Sequence, residues 1–430
     1  MKNYLPISLL CLLIASCAVK KPAPGIDEAD VSRILNVLAA DDMEGRATFT
    51  RGIEKAADFI SSEFTAIGLQ PYEKGAYRQT FHLTRMRPGT LEVSLDGQNI
   101  AADQMFVNTT AKGINWNSNP QVKTHFIAQG EELAARFRAI NTAKEDAIVV
   151  VDPSFKQVFE MYRKNASRER TVQQTQIGGH SVVFVLGSTK PTAFKVHFQN
   201  QIEEAPLSNV IGVLPGKSKA DEIVIFSAHY DHIGIQTPVG QDSIANGADD
   251  DASGVTAVLS LAKYYKSLNN NERTLLFVCF TGEEMGMLGS RYFSSQLEAD
   301  KVVAMVNIEM IGKDSRFGEN SMYVTGFDAS NLAKLMQNNL KGTEFTFHPD
   351  PYPTQNLFYR SDNASLAEVG VPAHTFSTVQ IEKDIHYHQV TDEVSTLNIK
   401  NIVSSIKAIA TGAKGLVAGT DTPTRVEKLK

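Results

Sequence analysis

Cysteine is almost absent from this chain: Cys11, Cys17 and Cys279 are the only three in 430 residues. Two of them fall in the leading apolar segment, so the body of the chain holds Cys279 alone and carries no disulfide framework. Stability must come from a core, and 430 residues of 42% apolar composition can bury one large core or two modest ones. Long basic runs are also missing. With a net charge of -6, the chain gives little support for a nucleic-acid partner, so none is expected. The weak acidity itself says nothing about substrate. No long hydrophobic run follows the first residues, and the remainder reads as water-soluble.

The start of the chain carries an address. Lys2 precedes an apolar stretch from Leu5 to Ala15, and Ile14-Ala15-Ser16-Cys17 sets small residues before a cysteine. The apolar part is short for a membrane span, and the pattern resembles bacterial lipoprotein signals. That resemblance makes Cys17 the acylated first residue of the mature chain, and Ala18 in place of an aspartate suits outer-membrane sorting. Residues 1–17 are then the signal segment and 18–25 a tether. The expected location is outside the cytoplasm, lipid-anchored to the bacterial outer membrane and facing the periplasm.

Further along, Ile53, Ala56, Ala57, Phe59, Ile60, Phe64 and Ile67 recur at helical spacing and Gly68 ends the pattern. Leu91 to Leu95 alternates before an Asp96-Gly97 turn, while Ala147 to Val151 and Ser181 to Leu186 are short apolar runs, which together suggest a small strand-rich insert. From Asn209 onward, strand-like runs at Ile223–Ser227, Thr274–Phe280 and Val302–Ile308 alternate with helical patterns such as Val255–Tyr265. Leu332–Leu340 and Ile399–Ile409 add helices, with later strands at Met322–Thr325 and Val371–Phe376. Such alternation implies an α/β sheet, in which strand ends deliver polar residues to a common crevice. Cys279 reads as core.

The polar patches sit at those strand ends. Thr281-Gly282-Glu283-Glu284 places adjacent carboxylates after a buried strand, where one can bind metal while the other moves a proton. His229-Tyr230-Asp231 follows another strand, and Asp231 can either orient the imidazole or bind metal itself. Asp249-Asp250-Asp251 brings three mutually repelling carboxylates before a helix. One could bridge two metals, whereas capping or a solvated turn would account for the others. Glu309 closes the Val306–Ile308 run and offers a further carboxylate. In the last cluster, His386, Tyr387, His388 and Asp392, the two histidines compete for one role and spacing does not choose. Together these patches argue for a two-metal hydrolase.

These residues resemble the zinc aminopeptidase family M28, over most of the exported chain. Glu44-Gly45-Arg46 and Gly68-Leu69-Gln70-Pro71 look like that family's lead-in, and Arg360-Ser361-Asp362 with Gly370-Val371-Pro372-Ala373 resembles its segment before the last ligand. The resemblance implies a zinc-exopeptidase-like fold, with a mixed, mostly parallel central sheet flanked by helices and a smaller strand-rich inserted domain. The catalytic domain would span 26–89 and 202–412, the insert 90–201, similar to a protease-associated domain, and a C-terminal tail 413–430. Two Zn2+ ions are implied. His229 would bind one, Asp250 bridge both, Glu284 bind the other, and His388 complete that second site. Glu283 would be the general base, Asp231 the partner of His229, and Tyr387 an oxyanion donor, with Asp392 supporting the final loop. The family usually has Asp where this chain has Glu309, whose longer arm must reach its zinc from a displaced backbone. The expected substrate is a peptide with a free N-terminus. Other readings are a carboxypeptidase, a one-zinc enzyme like the glutaminyl cyclases, or a non-catalytic peptide-binding surface protein.

Overall fold

The computed structural model describes residues 25–73, 75–173 and 176–429. The expected lipoprotein signal with Cys17, and all of the tether but Gly25, lie outside the described residues.

Four strands, Lys219–His229, Arg273–Phe280, Val302–Ile308 and Ala373–Ser377, run parallel at the centre of the large sheet. Lys219–His229 lies between Arg273–Phe280 and Val302–Ile308, with Ala373–Ser377 beyond the latter. Their near-continuous burial is what a sheet covered on both faces requires. Side chains alternate between the two faces with period 2. Val224, Phe226, Leu275, Phe277, Ala304 and Val306 pack on one helical layer, which contributes Ile34, Ile60, Phe64, Val258, Leu261 and Ile406. Ile225, Leu276, Val278 and Met305 face the other way, onto Phe293 and Leu366. Burying each phenylalanine of this core contributes about 1.5–3 kcal/mol. Cys279 is a free thiol buried in the first of these layers.

The flanks are antiparallel. Phe194–Leu214 pairs with Arg273–Phe280 on one side and with Arg78–Leu95 on the other, and Ser321–Val324 pairs antiparallel with Ala373–Ser377. Helix Arg51–Ile67 realises the apolar periodicity, burying Ile53, Ala56, Ala57, Ile60 and Phe64. Gly68 stops it in the left-handed region at φ 81°, its N–H donating to the Phe64 and Thr65 carbonyls.

The long ribbon made by Arg78–Leu95 and Phe194–Leu214 leads to a second, four-stranded sheet. Its order is Met105–Asn108, Val182–Leu186, Ala147–Val151 and Lys123–Ile127, and the last three are parallel. Parallel neighbours need crossover connections, and helices Leu133–Thr142 and Lys156–Ala166 join the strands here. These helices are an addition to the strand-rich insert read from sequence. Phe106, Phe137, Phe159 and Phe184 stack between them and the sheet, giving this unit its own core.

Candidate metal centre

Register brings the polar patches together. His229 lies opposite Phe280 and Ser227 opposite Asn307, so the residues just past those strands, Glu283, Glu284 and Glu309, share one sheet edge with His229. This is the carboxyl-end edge, where α/β sheets place their sites.

Of the three consecutive aspartates, only Asp250 points both oxygens at imidazoles. Its Oδ1 lies 3.2 Å from His229 Nε2 and its Oδ2 3.3 Å from His388 Nε2. His388 Nε2 is also 3.1 Å from Glu284 Oε2. The neighbours of Asp250 hold loops instead. Asp251 accepts from the N–H groups of His229, Gly254 and Met310, tying two strand ends to the start of helix Gly254–Leu268. Asp249 accepts from Gly312 N–H and from Ser253 Oγ. Asp392 accepts from the N–H groups of Asp249 and Asp250 and so steadies the aspartate turn. Gly247, at φ 57°, opens that turn, and a Cβ there would overlap the Asp250 carbonyl and the His232 ring.

Asp231 sits differently from the expected pairing with His229. Its main-chain carbonyl meets His229 Nδ1 at 3.1 Å, while its carboxylate stands 3.9 Å from that nitrogen. The carboxylate accepts instead from the N–H groups of Glu283 and Glu284, at 3.1 and 3.3 Å. The reason is local: a carbonyl two residues on already satisfies the ring, which frees the side chain to hold the Glu283-Glu284 segment. Tyr387 stacks on His388 with ring centroids 4.0 Å apart and is 42% exposed. With Glu309, Met310, Tyr323, Leu357 and Arg360, Tyr387 lines a mostly apolar cavity of about 90 Å3 beside the cluster. His386 turns away, its Nδ1 on Thr391 Oγ1 at 2.9 Å.

His232 went unread in the sequence, although it follows Asp231 directly. Its Nδ1 lies 2.9 Å from Glu284 Oε1 and 3.7 Å from Asp250 Oδ2. His232, Asp250 and Glu284 offer ligand atoms within 4.8 Å of one another, a group able to hold a metal ion. The donor set fits zinc, which takes imidazole nitrogens and carboxylate oxygens. Unpartnered atoms point the same way: His232 Nε2 and Glu309 Oε2 are buried without a hydrogen-bond partner, and His229 Nε2 has only the Asp250 carboxylate at 3.2 Å, an arrangement that is costly unless something else satisfies the unpartnered atoms.

The electrostatics describe a site built for cations. Burial opposes a charged His229, yet contact with Asp250 and the fields of Glu283 and Asp251 outweigh it and raise the ring's proton affinity. His388 is pushed up to about 10 by Asp250 and Glu284. Burial would raise Asp250, but His232, His229 and His388 hold it well below the usual carboxylate range. Burial pushes Glu309 up to about 7, against the pull of His229. Glu283 is also raised well above its ordinary value, by burial first and then by Glu309, Asp362 and Asp231, against His229. The field around His229 and His388 thus favours positive charge, which a divalent cation would supply in place of protons.

Residues 209–412 match the model of Peptidase family M28. A probable leucine aminopeptidase of Trichophyton verrucosum (strain HKI 0517) is 30% identical over 209 residues, 46% of this chain and 54% of the relative. Leucine aminopeptidase 1 of Pyrenophora tritici-repentis (strain Pt-1C-BFP) is 29% identical over 254 residues, 54% of this chain and 62% of the relative. The chain thus spans somewhat over half the length of these curated relatives. Among solved structures, BSAP, a zinc aminopeptidase from Bacillus subtilis, superposes with a TM-score of 0.55 at 16% identity, covering 95% of this chain and 100% of that one. An aminopeptidase from Aneurinibacillus sp. strain AM-1 gives 0.53 at 16% identity, over 94% of this chain and 96% of that one. Residues 209–412 are thus similar to family M28, and the fold is the one these solved aminopeptidases share.

Proposed function

We propose that this chain is a co-catalytic two-zinc aminopeptidase that hydrolyses the N-terminal peptide bond of peptides. The observation carrying this reading is that the two oxygens of Asp250 face two different histidines, His229 and His388. In this assignment Asp250 would be shared, His229 and Glu309 would hold one ion, and Glu284 and His388 would hold the other, with His232 beside the second. Two zinc ions held there would supply Lewis acidity, polarising the scissile carbonyl and acidifying water.

The residues of the chain do the rest. Glu283 is the proton carrier. Its raised proton affinity suits it to take a proton from the attacking water and return it to the departing amine, and cations at the neighbouring ligands would bring that affinity down toward working pH. The Asp231 carboxylate fixes the main chain of Glu283 and Glu284, so that the acid and its ligand neighbour keep their separate directions. The Tyr387 hydroxyl donates to the carbonyl oxygen as charge builds on it. The surplus of carboxylates draws the free N-terminal amine of the substrate. Aminopeptidases among the relatives, and the apolar cavity beside Glu309, support a neutral, apolar first residue. For the second unit we keep the assignment of an inserted domain over residues 90–201.

We further propose export and lipid attachment at Cys17, supported by the leading sequence pattern. Among the described residues no helix is long and apolar enough to cross a membrane. Mass spectrometry of the mature terminus tests this, and an unmodified chain retaining Met1 would overturn it. The activity is tested by comparing matched peptides with free and acetylated N-termini. Release of the first residue from the free peptide alone is expected, and efficient cleavage of the blocked peptide would sink the aminopeptidase assignment.

A further inference from the structure

Arg46 is one of the largest fully buried side chains of the described residues, 0% exposed, and among them no carboxylate lies in ion-pair contact with it. Its guanidinium is spent entirely on main-chain carbonyls. Nε donates to Tyr230 O at 2.8 Å, Nη1 to Leu38 O at 2.7 Å and to Asn246 O at 2.5 Å, and Nη2 to Gly247 O at 2.9 Å. Its own carbonyl accepts from His232 N–H at 3.2 Å. Tyr230 separates His229 from Asp231, and Asn246-Gly247 leads into the aspartate turn. One side chain therefore spans the two loops that carry His229, His232 and Asp250. The backbone is bent to deliver it: Glu44, Gly45 and Arg46 stand at φ 52°, 62° and 50°, a left-handed run that non-glycine residues disfavour. Burial pushes the guanidinium's proton affinity down, and the carboxylates of Asp250, Asp392, Asp231 and Asp251 pull it back.

We propose that Arg46 is the positioning residue of the metal centre, a planar fork that sets the spacing between the His229 and Asp250 loops and a fixed cation behind their carboxylates. A lysine carries the same charge at one point and cannot span carbonyls from three segments, so geometry and charge are separable. The inference rests on the metal-binding reading above.

The test uses Arg46→Lys and Arg46→Met in the full chain. Zinc affinity is read by competition with a chromogenic chelator, the visible spectrum is recorded with Co2+ in place of Zn2+, and melting is followed with EDTA and with zinc. Both variants are expected to fold, to bind zinc about 10–100-fold more weakly, the range typical of residues that orient metal ligands, and to show an altered Co2+ spectrum. Arg46→Lys should recover only part of the affinity. Full recovery by lysine would overturn the positioning role in favour of charge alone. Unchanged affinity and spectrum, with melting lowered equally with and without metal, would reduce Arg46 to a structural residue, and so would failure of both variants to fold. Wild-type protein that binds no zinc would instead strike the metal reading itself.

Discussion

The two sides of Asp250 are built differently. Toward Oδ1 stands His229, whose side chain is 1% exposed, with Glu309 carrying a buried, unpartnered oxygen nearby. Toward Oδ2 stand His388, 36% exposed, and Glu284, 12% exposed, backed by the fully buried His232. The first side is assembled from strand ends in register around a buried histidine, with Glu309 at the edge of the cavity that Tyr387 also lines. The second is completed by a histidine from a loop after the last central strand, and it is open to solvent. A buried histidine fixes the geometry of its side, whereas a side completed by a half-exposed histidine is open to exchange of its ligands. Chelator should therefore strip the open side first.

A change at Asp250 reaches both sides at once. Asp250→Asn should abolish metal binding on both sides and bring turnover below that of every other variant, since its carboxylate faces both histidines; metal analysis of the purified protein checks it. Next in size is Glu283→Gln, expected to keep the metals and lose about 10²–10⁴-fold in kcat, the range that positioned proton transfer commonly contributes. Steady-state kinetics alongside metal content separates the two effects. Smaller again are changes confined to one side. His232→Ala should weaken the open site and Glu309→Asp alter the one at His229, each by roughly 10–100-fold in affinity, with the opposite side unaffected. If either substitution empties both sides, the division at Asp250 is wrong.

How much of this was legible without the structure depends on the kind of signal. The central strands and the helices Arg51–Ile67 and Ile399–Gly412 stand out because apolar periodicity reports burial directly. The insert's crossover helices were not anticipated, because short helices that bury only a residue or two leave little periodic trace: Leu133–Thr142 buries Leu133 and Ile140, and Lys156–Ala166 buries Phe159 and Ala166. In the site, spacing could not choose between His386 and His388; the structure turns His386 onto Thr391 and aims His388 at Asp250. His232 was missed because nothing in a single sequence separates a histidine facing Glu284 from one facing solvent. Arg46 stood only as part of a family-like segment, since contacts with carbonyls 184 and 200 positions away leave no local mark.

The last prediction is a control remote from both sides, with no expected effect on turnover. Buried His374, bonded to Thr325 O and Ser330 Oγ, is pushed down to about 4 by burial. Its folded value lies below the unfolded one, near 6.5, so its contribution is full above that pH and is lost as pH falls toward 4. The loss amounts to roughly 3 kcal/mol at most. Denaturant titration of wild type and His374→Gln between those pH values should show a flatter profile for the variant, with metal content unchanged. Equal slopes would mean that the ring is not held neutral.

Two ions divided by one carboxylate would be seen outright by anomalous scattering at the zinc edge from crystals of the zinc-loaded protein. We predict two neighbouring peaks, one between Asp250, His229 and Glu309 and one between Asp250, Glu284 and His388. A single peak, from a preparation that releases N-terminal residues at its full rate, would contradict it.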